Sequence, residues 1–169
     1  MGKRLGILGT VIAVVALVVG AVSPALGSSS HRSASTSSGH AHKTIHVTAV
    51  FTEFDPNIDL GAPGFSLGDE VVFSGNLLRN GEQVGRVGVV CTFVSTANAD
   101  RVEAQCPTTS ILPGGQITTQ GTIVNRSLNF TLPITGGSGQ FQGAGGQVVS
   151  RDVSTPTQPQ VELTFHLEF

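Results

Sequence analysis

Two carboxylates, two thiols and a glycine run are the parts of this chain whose types and spacing bear on chemistry. Glu53 and Asp55 flank Phe54 and share the parity of Ile45, Val47, Ala49 and Phe51, the more apolar face of an alternating segment. On that parity both acids turn inward, where desolvation disfavours the charged form and suits a carboxyl to acid–base work. If the strand has ended by Glu53, the same carboxylate is only solvated. The run Thr135-Gly136-Gly137-Ser138-Gly139-Gln140-Phe141-Gln142-Gly143-Ala144-Gly145-Gly146 has the look of a phosphate cradle. No Lys-Ser or Lys-Thr follows it and no helical pattern opens after it, and the last glycine of a dinucleotide fingerprint falls on Gln142. These glycines serve tight turning and close strand approach instead. His31, His40, His42 and His46 cluster early, but no cysteine or acid spacing completes a metal site. The late His166 completes no Ser-His-Asp order. No metal and no cofactor is expected.

Strands must position these groups. The mature chain reads as Ile45–Glu53, Val71–Leu78, Gln83–Val94, Arg101–Leu112, Gln116–Val124, Ser127–Ile134, Gln147–Val153 and Val161–Phe169. Asn80-Gly81 is the strongest hairpin signal, and Pro113-Gly114-Gly115 is another turn. Asp55 to Leu67, with Pro56, Asn57, Gly61, Pro63 and Gly64, reads as a loop. Short turns between strands at this spacing give an antiparallel meander, closed as a barrel or folded as a sandwich.

The cysteines test that register. With the turn centred between Asn98 and Ala99, Cys91 stands opposite Cys106, Val89 opposite Thr108, Phe93 opposite Ala104 and Ser95 opposite Val102. Directly opposed residues come within bridging reach, so a cross-strand disulfide is the favoured reading. The alternative is a free Cys91 lining a pocket. Val87, Val89 and Phe93 share the face of Cys91 and are candidates to shape a cavity, as are Phe51 and Phe73. Phe130 and Phe141 are further candidates, with core packing as the plainer role for all of them.

Residues 1–27 read as an export signal: Lys3 and Arg4, an apolar run from Leu5 to Val22, then Pro24-Ala25-Leu26-Gly27 as a cleavage site. An uncleaved membrane anchor is the alternative. Residues 28–43 read as a tether, and the folded domain as 44–169. An oxidising destination agrees with an even cysteine pair. The net charge of −2, with no basic stripe, argues against nucleic acid as a partner. Trp and Tyr are absent, so 9 Phe carry all the aromatic surface. The abundance of Gly, Val and Thr points to an all-β domain. Asn125-Arg126-Ser127 and Asn129-Phe130-Thr131 fit the glycosylation sequon.

From Leu67 to Val149 the chain resembles the allene oxide cyclase family and the related dirigent proteins. The matching pieces, in order, are Leu67-Gly68-Asp69 with Val71 and Phe73; Val84-Gly85 with Cys91; Asp100-Arg101-x-Glu103-Ala104; Gly115-x-Ile117-x-x-Gln120-Gly121; and the glycine run with Gly146-Gln147-Val148. The resemblance implies an eight-stranded antiparallel barrel with an apolar cavity, often a trimer. It also implies catalytic roles for Glu53 and Asp55. The family's Glu-Phe-Asn stands here as Glu53-Phe54-Asp55, with Glu53 as the anion at the cavity floor and Asp55 in place of a water-holding Asn. A second such Asn falls at Gly75, Asn76 being one place along on the opposite face. Pro63 stands near the family's cavity proline. Cys91 aligns with a cavity cysteine, and Cys106 replaces an aromatic residue.

The function expected is an exported barrel that binds a small apolar molecule and directs its cyclisation or isomerisation, with Glu53→Gln reducing turnover. Two alternatives are a non-catalytic lipid or small-molecule carrier, including a dirigent-like guide of radical coupling, and a cell-surface barrel with a filled interior.

Overall fold

The computed structural model describes residues 41–98 and 100–169. The segment read as an export signal, and the tether up to residue 40, lie outside the described residues. Among the described residues the chain forms β1 (His42–Ile58), β2 (Glu70–Arg79), β3 (Glu82–Ser95), β4 (Glu103–Gln105), β5 (Thr108–Leu112), β6 (Gly115–Thr119), β7 (Thr122–Val124), β8 (Phe130–Gly137), β9 (Gly145–Asp152) and β10 (Gln160–Glu168). β1 opens at His42, so its first two residues come from the stretch expected to be tether.

All pairings are antiparallel. The order β1-β10-β9-β8-β6-β5-β3 is closed by β2, which pairs with both β3 and β1. Closure pairs the ring strands on both sides except at β7, which pairs with β4 alone. β4 and β5 are one strand interrupted at Cys106-Pro107, and β6 and β7 are one strand interrupted at Gln120-Gly121. The interruptions face each other: Cys106 N–H donates to the Gly121 carbonyl at 2.9 Å. Pro107 has no N–H to offer the ladder, which is why pairing pauses there. Counted this way the barrel has eight strands, as the resemblance implies.

The β2–β3 hairpin turns at Asn80 and Gly81, with φ of 53° and 82°. Two positive φ values are what a two-residue hairpin of the I′ type demands. The register through the cysteines has Phe93 opposite Ala104 and Val89 opposite Thr108. Ser95 departs from expectation: it pairs with Glu103, not Val102, because a bulge inserts Val94.

The interior divides into a packed end and a hollow end. Ile45, Leu77, Leu112, Ile117, Phe141 and Leu167 fill the end at which the glycine run folds back. There the short 3₁₀ turn Gly139–Phe141 lies across the β5–β6 hairpin, with Gln140 N–H on the Gly114 carbonyl at 2.9 Å. A Cβ on Gly139 would overlap the Gly114 carbonyl, and one on Gly115 the Ser138 carbonyl. This close approach is the work of the glycine run, and it seats Phe141, 1% exposed, in the closed end.

Candidate functional site

The other end of the barrel is open. A cavity of about 320 Å³ runs into it, within the size range of small-molecule sites. Its wall comes from alternate residues of the strands, since only one parity points inward. Phe51, Phe73, Val87, Val89 and Phe93 line it, and Cys91 and Cys106 lie in its wall as a disulfide with Cα atoms 4.2 Å apart. Phe51 and Phe73 meet edge to face at 4.9 Å. Thr108 and Ser110 on β5 and Thr119 on β6 turn hydroxyls into the same wall. Among the described residues these three hydroxyls make no hydrogen bond inside the protein.

Glu53 and Asp55 are not in that wall. The reason is a bulge. Phe51 pairs with Gly75 but Glu53 pairs with Ser74, so Thr52 is an extra residue on β1. One extra residue reverses inward and outward for all that follows. Phe54 takes the inward position, opposite Phe73, with ring centroids 6.0 Å apart. Glu53 turns to the outer face, 73% exposed. It accepts a hydrogen bond from the Ser74 hydroxyl and lies 3.9 Å from the Arg86 guanidinium. β1 then runs on to Ile58, through a segment expected to be loop, and Asp55 on it is exposed. The expected anion at the cavity floor is thus corrected to a solvated carboxylate on the barrel's outside.

Gly75 is the residue that makes room for the bulge, because a Cβ there would overlap the Val50 carbonyl oxygen. The Phe51 backbone faces away from β2, toward the segment that leads into β10. Its carbonyl accepts from the Gln158 side-chain amide at 2.7 Å, and its N–H donates to the Pro159 carbonyl at 3.1 Å.

Pro63 is exposed and outside the cavity wall. Its loop is shaped by the buried Asp69, whose carboxylate accepts from Ser66 N–H at 2.6 Å, Leu60 N–H at 3.1 Å and the Ser66 hydroxyl at 3.2 Å. The Ser66 backbone N–H, foremost, holds the Asp69 carboxyl below the usual carboxylate range; burial opposes it, and the Leu60 N–H and Ser66 hydroxyl assist. Gly68 N–H donates to the Phe93 carbonyl and Phe93 N–H to that of Asp69. The loop so tied lays Phe65, not Pro63, edge-on to Phe93 with centroids 4.5 Å apart.

One charged residue lines the cavity among the described residues: Arg126. Sequence reasoning placed it only within a sequon. The turn Val124-Asn125-Arg126-Ser127 is the nearest local signal, but the rings the guanidinium meets, Phe65 and Phe93, lie far off in the sequence. The Asn125 side chain of that sequon accepts from Val102 N–H at 2.8 Å and donates to the Asp100 carbonyl at 2.9 Å. No carboxylate, imidazole or amine lines the cavity among the described residues. Such a wall restrains an apolar molecule and offers it hydroxyls and one cation. Among the described residues it has no titrating group to pass a proton at neutral pH.

Comparison with known proteins agrees with this architecture. The allene oxide cyclase barrel-like domain matches residues 44–165. A pyocyanin demethylase superposes with a TM-score of 0.60 at 30% identity, covering 72% of this chain and 98% of that one. The pterocarpan synthase dirigent protein GePTS1 superposes with a TM-score of 0.60 at 14% identity, covering 76% and 88%. AbnU, an exo-specific intermolecular Diels-Alderase, superposes with a TM-score of 0.57 at 18% identity, covering 76% and 99%. The last two likenesses are of fold. With the family's domain spanning nearly all of the barrel, the chain belongs to the allene oxide cyclase barrel-like family.

Proposed function

We propose that this barrel takes up a small, apolar, ring-bearing molecule through its open end and holds it in one shape, so that one cyclisation or isomerisation dominates. The observation that carries this reading is the hollow, aromatic-lined cavity, whose wall among the described residues holds no carboxylate, imidazole or amine. Reactions that rearrange bonds within one molecule, or join two held partners, are accelerated by orientation alone, since restricting conformers removes an entropic barrier. The hydroxyls of Thr108, Ser110 and Thr119 supply the few polar contacts that fix which way a guest lies. The solved relatives, which include a Diels-Alderase and a dirigent protein, support a role in directing ring closure. The basic head and apolar run of residues 1–27, with the cysteine pair, support a place of action outside the cytoplasm.

The second reading is carriage without reaction, which the same cavity serves. Native mass spectrometry of the purified protein separates the two. A retained molecule is expected in the wild type and lost in Val89→Phe, which fills the cavity. A guest that keeps its mass but changes its chromatographic retention after incubation has been isomerised or cyclised. One recovered unchanged has been carried. A wild-type barrel that retains nothing and excludes the neutral dye N-phenyl-1-naphthylamine would falsify both.

A further inference from the structure

Resting on the cavity reading above, we infer that Arg126 anchors an anionic oxygen of the guest, so that the molecule taken up is a conjugated anion and not a neutral hydrocarbon. The guanidinium carbon of Arg126 lies 5.1 Å from the ring centroids of both Phe65 and Phe93, at the cavity's edge. It is held there. Asn125 and Arg126 have φ of 53° and 55°, and Ser127 N–H donates to the Val124 carbonyl at 3.1 Å, closing a tight turn. A positive φ is uncommon for a long side chain such as Arg and marks a position fixed by its surroundings. Here the fixing group is Asn125, whose side chain and backbone bond the Asp100–Val102 segment at three points.

Among the described residues this placed cation has no counter-ion. Among the described residues the arginines in ion pairs are Arg86 with Glu53 and Arg101 with Glu103. Arg126 makes neither an ion pair nor a hydrogen bond there, so its donors are unspent. Contact with two rings leaves the guanidinium N–H donors free to bind an oxyanion in bidentate fashion. The low-dielectric walls behind it concentrate its field on whatever enters. The rest of the guest is read from Phe51, Phe54, Phe73, Phe93, Phe130 and Phe165, all in the wall. Edge-to-face packing against such rings favours a planar π system.

Two naphthyl dyes that share a ring system test this. The sulfonate 8-anilinonaphthalene-1-sulfonate is anionic, and N-phenyl-1-naphthylamine is neutral. The chain has no Trp or Tyr, so dye fluorescence is read against a dark background. Each dye is titrated against wild type, Arg126→Gln, Arg126→Lys and Val89→Phe. Arg126→Gln should weaken the sulfonate about fivefold, and the neutral dye by less than about twofold. Arg126→Lys should recover part of the loss, because it keeps the charge and loses the planar fork. Added salt should weaken only the sulfonate. Equal affinity ratios in wild type and Arg126→Gln would overturn the anchor and leave the cavity reading intact, provided Val89→Phe still expels the neutral dye. If Val89→Phe expels neither dye, the cavity reading falls, and the anchor with it.

Discussion

The Gln158 side-chain amide donates to the Phe51 backbone carbonyl at 2.7 Å, across 107 positions of chain. That carbonyl faces the β10 side of β1, just past the last β1–β10 pair, Val50 with Gln160, so Gln158 ties β1 down beside the bulge at Thr52 that sets which side chains reach the cavity. Gln158→Leu keeps the bulk and removes the donor. A half-buried carbonyl left without a partner costs about 1–2 kcal/mol. The denaturation midpoint should fall accordingly, and an unchanged midpoint would show that water replaces the amide without loss.

Gly75→Ala attacks the same bulge from the facing strand. The new methyl would overlap the Val50 carbonyl, a backbone atom that cannot rotate away. Overpacking of this kind costs about 1–3 kcal/mol. The variant should melt earlier than Gly88→Ala, where a Cβ meets nothing within 4 Å. Equal melting of the two would mean that β1 shifts freely and that the bulge is not fixed by Gly75.

Glu53→Gln should leave dye affinity and any turnover unchanged within about twofold, since an exposed ion pair at 3.9 Å with a side chain 73% exposed contributes little. This reverses the expectation drawn from the family's Glu-Phe-Asn segment. A tenfold loss of turnover with unchanged stability would return Glu53 to the mechanism.

The contrast between Glu53 and Phe93 shows what the sequence makes legible. Phe93 was placed through its parity with Cys91 and through a turn-centred register, and no bulge separates the two residues. Glu53 was placed by the same alternation, but one inserted residue intervenes, and alternation carries no memory across a bulge. The trace of that bulge is a glycine inside β2, at Gly75, whose meaning is the close approach it permits and not the side chain it lacks. Arg126 was illegible for a different reason. Its role comes from a turn that throws it over rings contributed by the 59–69 loop and β3, a meeting no local pattern encodes.

Acid should loosen the loop that carries Phe65. The Asp69 carboxyl is held below its ordinary value, by the Ser66 backbone N–H first. A carboxyl with a lowered folded-state pKa stabilises the fold fully above its unfolded-state value and loses that contribution as pH falls through the folded value. The loss therefore belongs below about pH 4. Asp69→Asn should melt earlier than wild type at neutral pH, and the gap should close as the pH drops through that window. A gap that stays constant down to about pH 2.5 would mean that the Asp69 charge contributes nothing beyond what the amide supplies. Asp152, lowered by the Ser154 hydroxyl and then its N–H, titrates in the same direction and is common to both proteins, so it cancels in the comparison.

The disulfide stands where β3 changes partner from β4 to β5. β3 pairs with β4 as far as Thr92 with Gln105, and with β5 from Val89 with Thr108. Between them the backbone link is Val90 N–H to the Pro107 carbonyl at 3.3 Å. Cys91–Cys106 closes a loop with a sequence separation of 15, for which cross-linking the unfolded chain is worth about 3 kcal/mol. Replacing both cysteines with Ala should lower stability by that order, and reducing the wild type should match it. Both sulfurs also lie in the cavity wall, so the double variant should bind N-phenyl-1-naphthylamine more weakly even well below its melting temperature. Stability that falls while dye affinity holds would confine the bridge to the unfolded state. A loss of both would show that the same bond shapes the cavity.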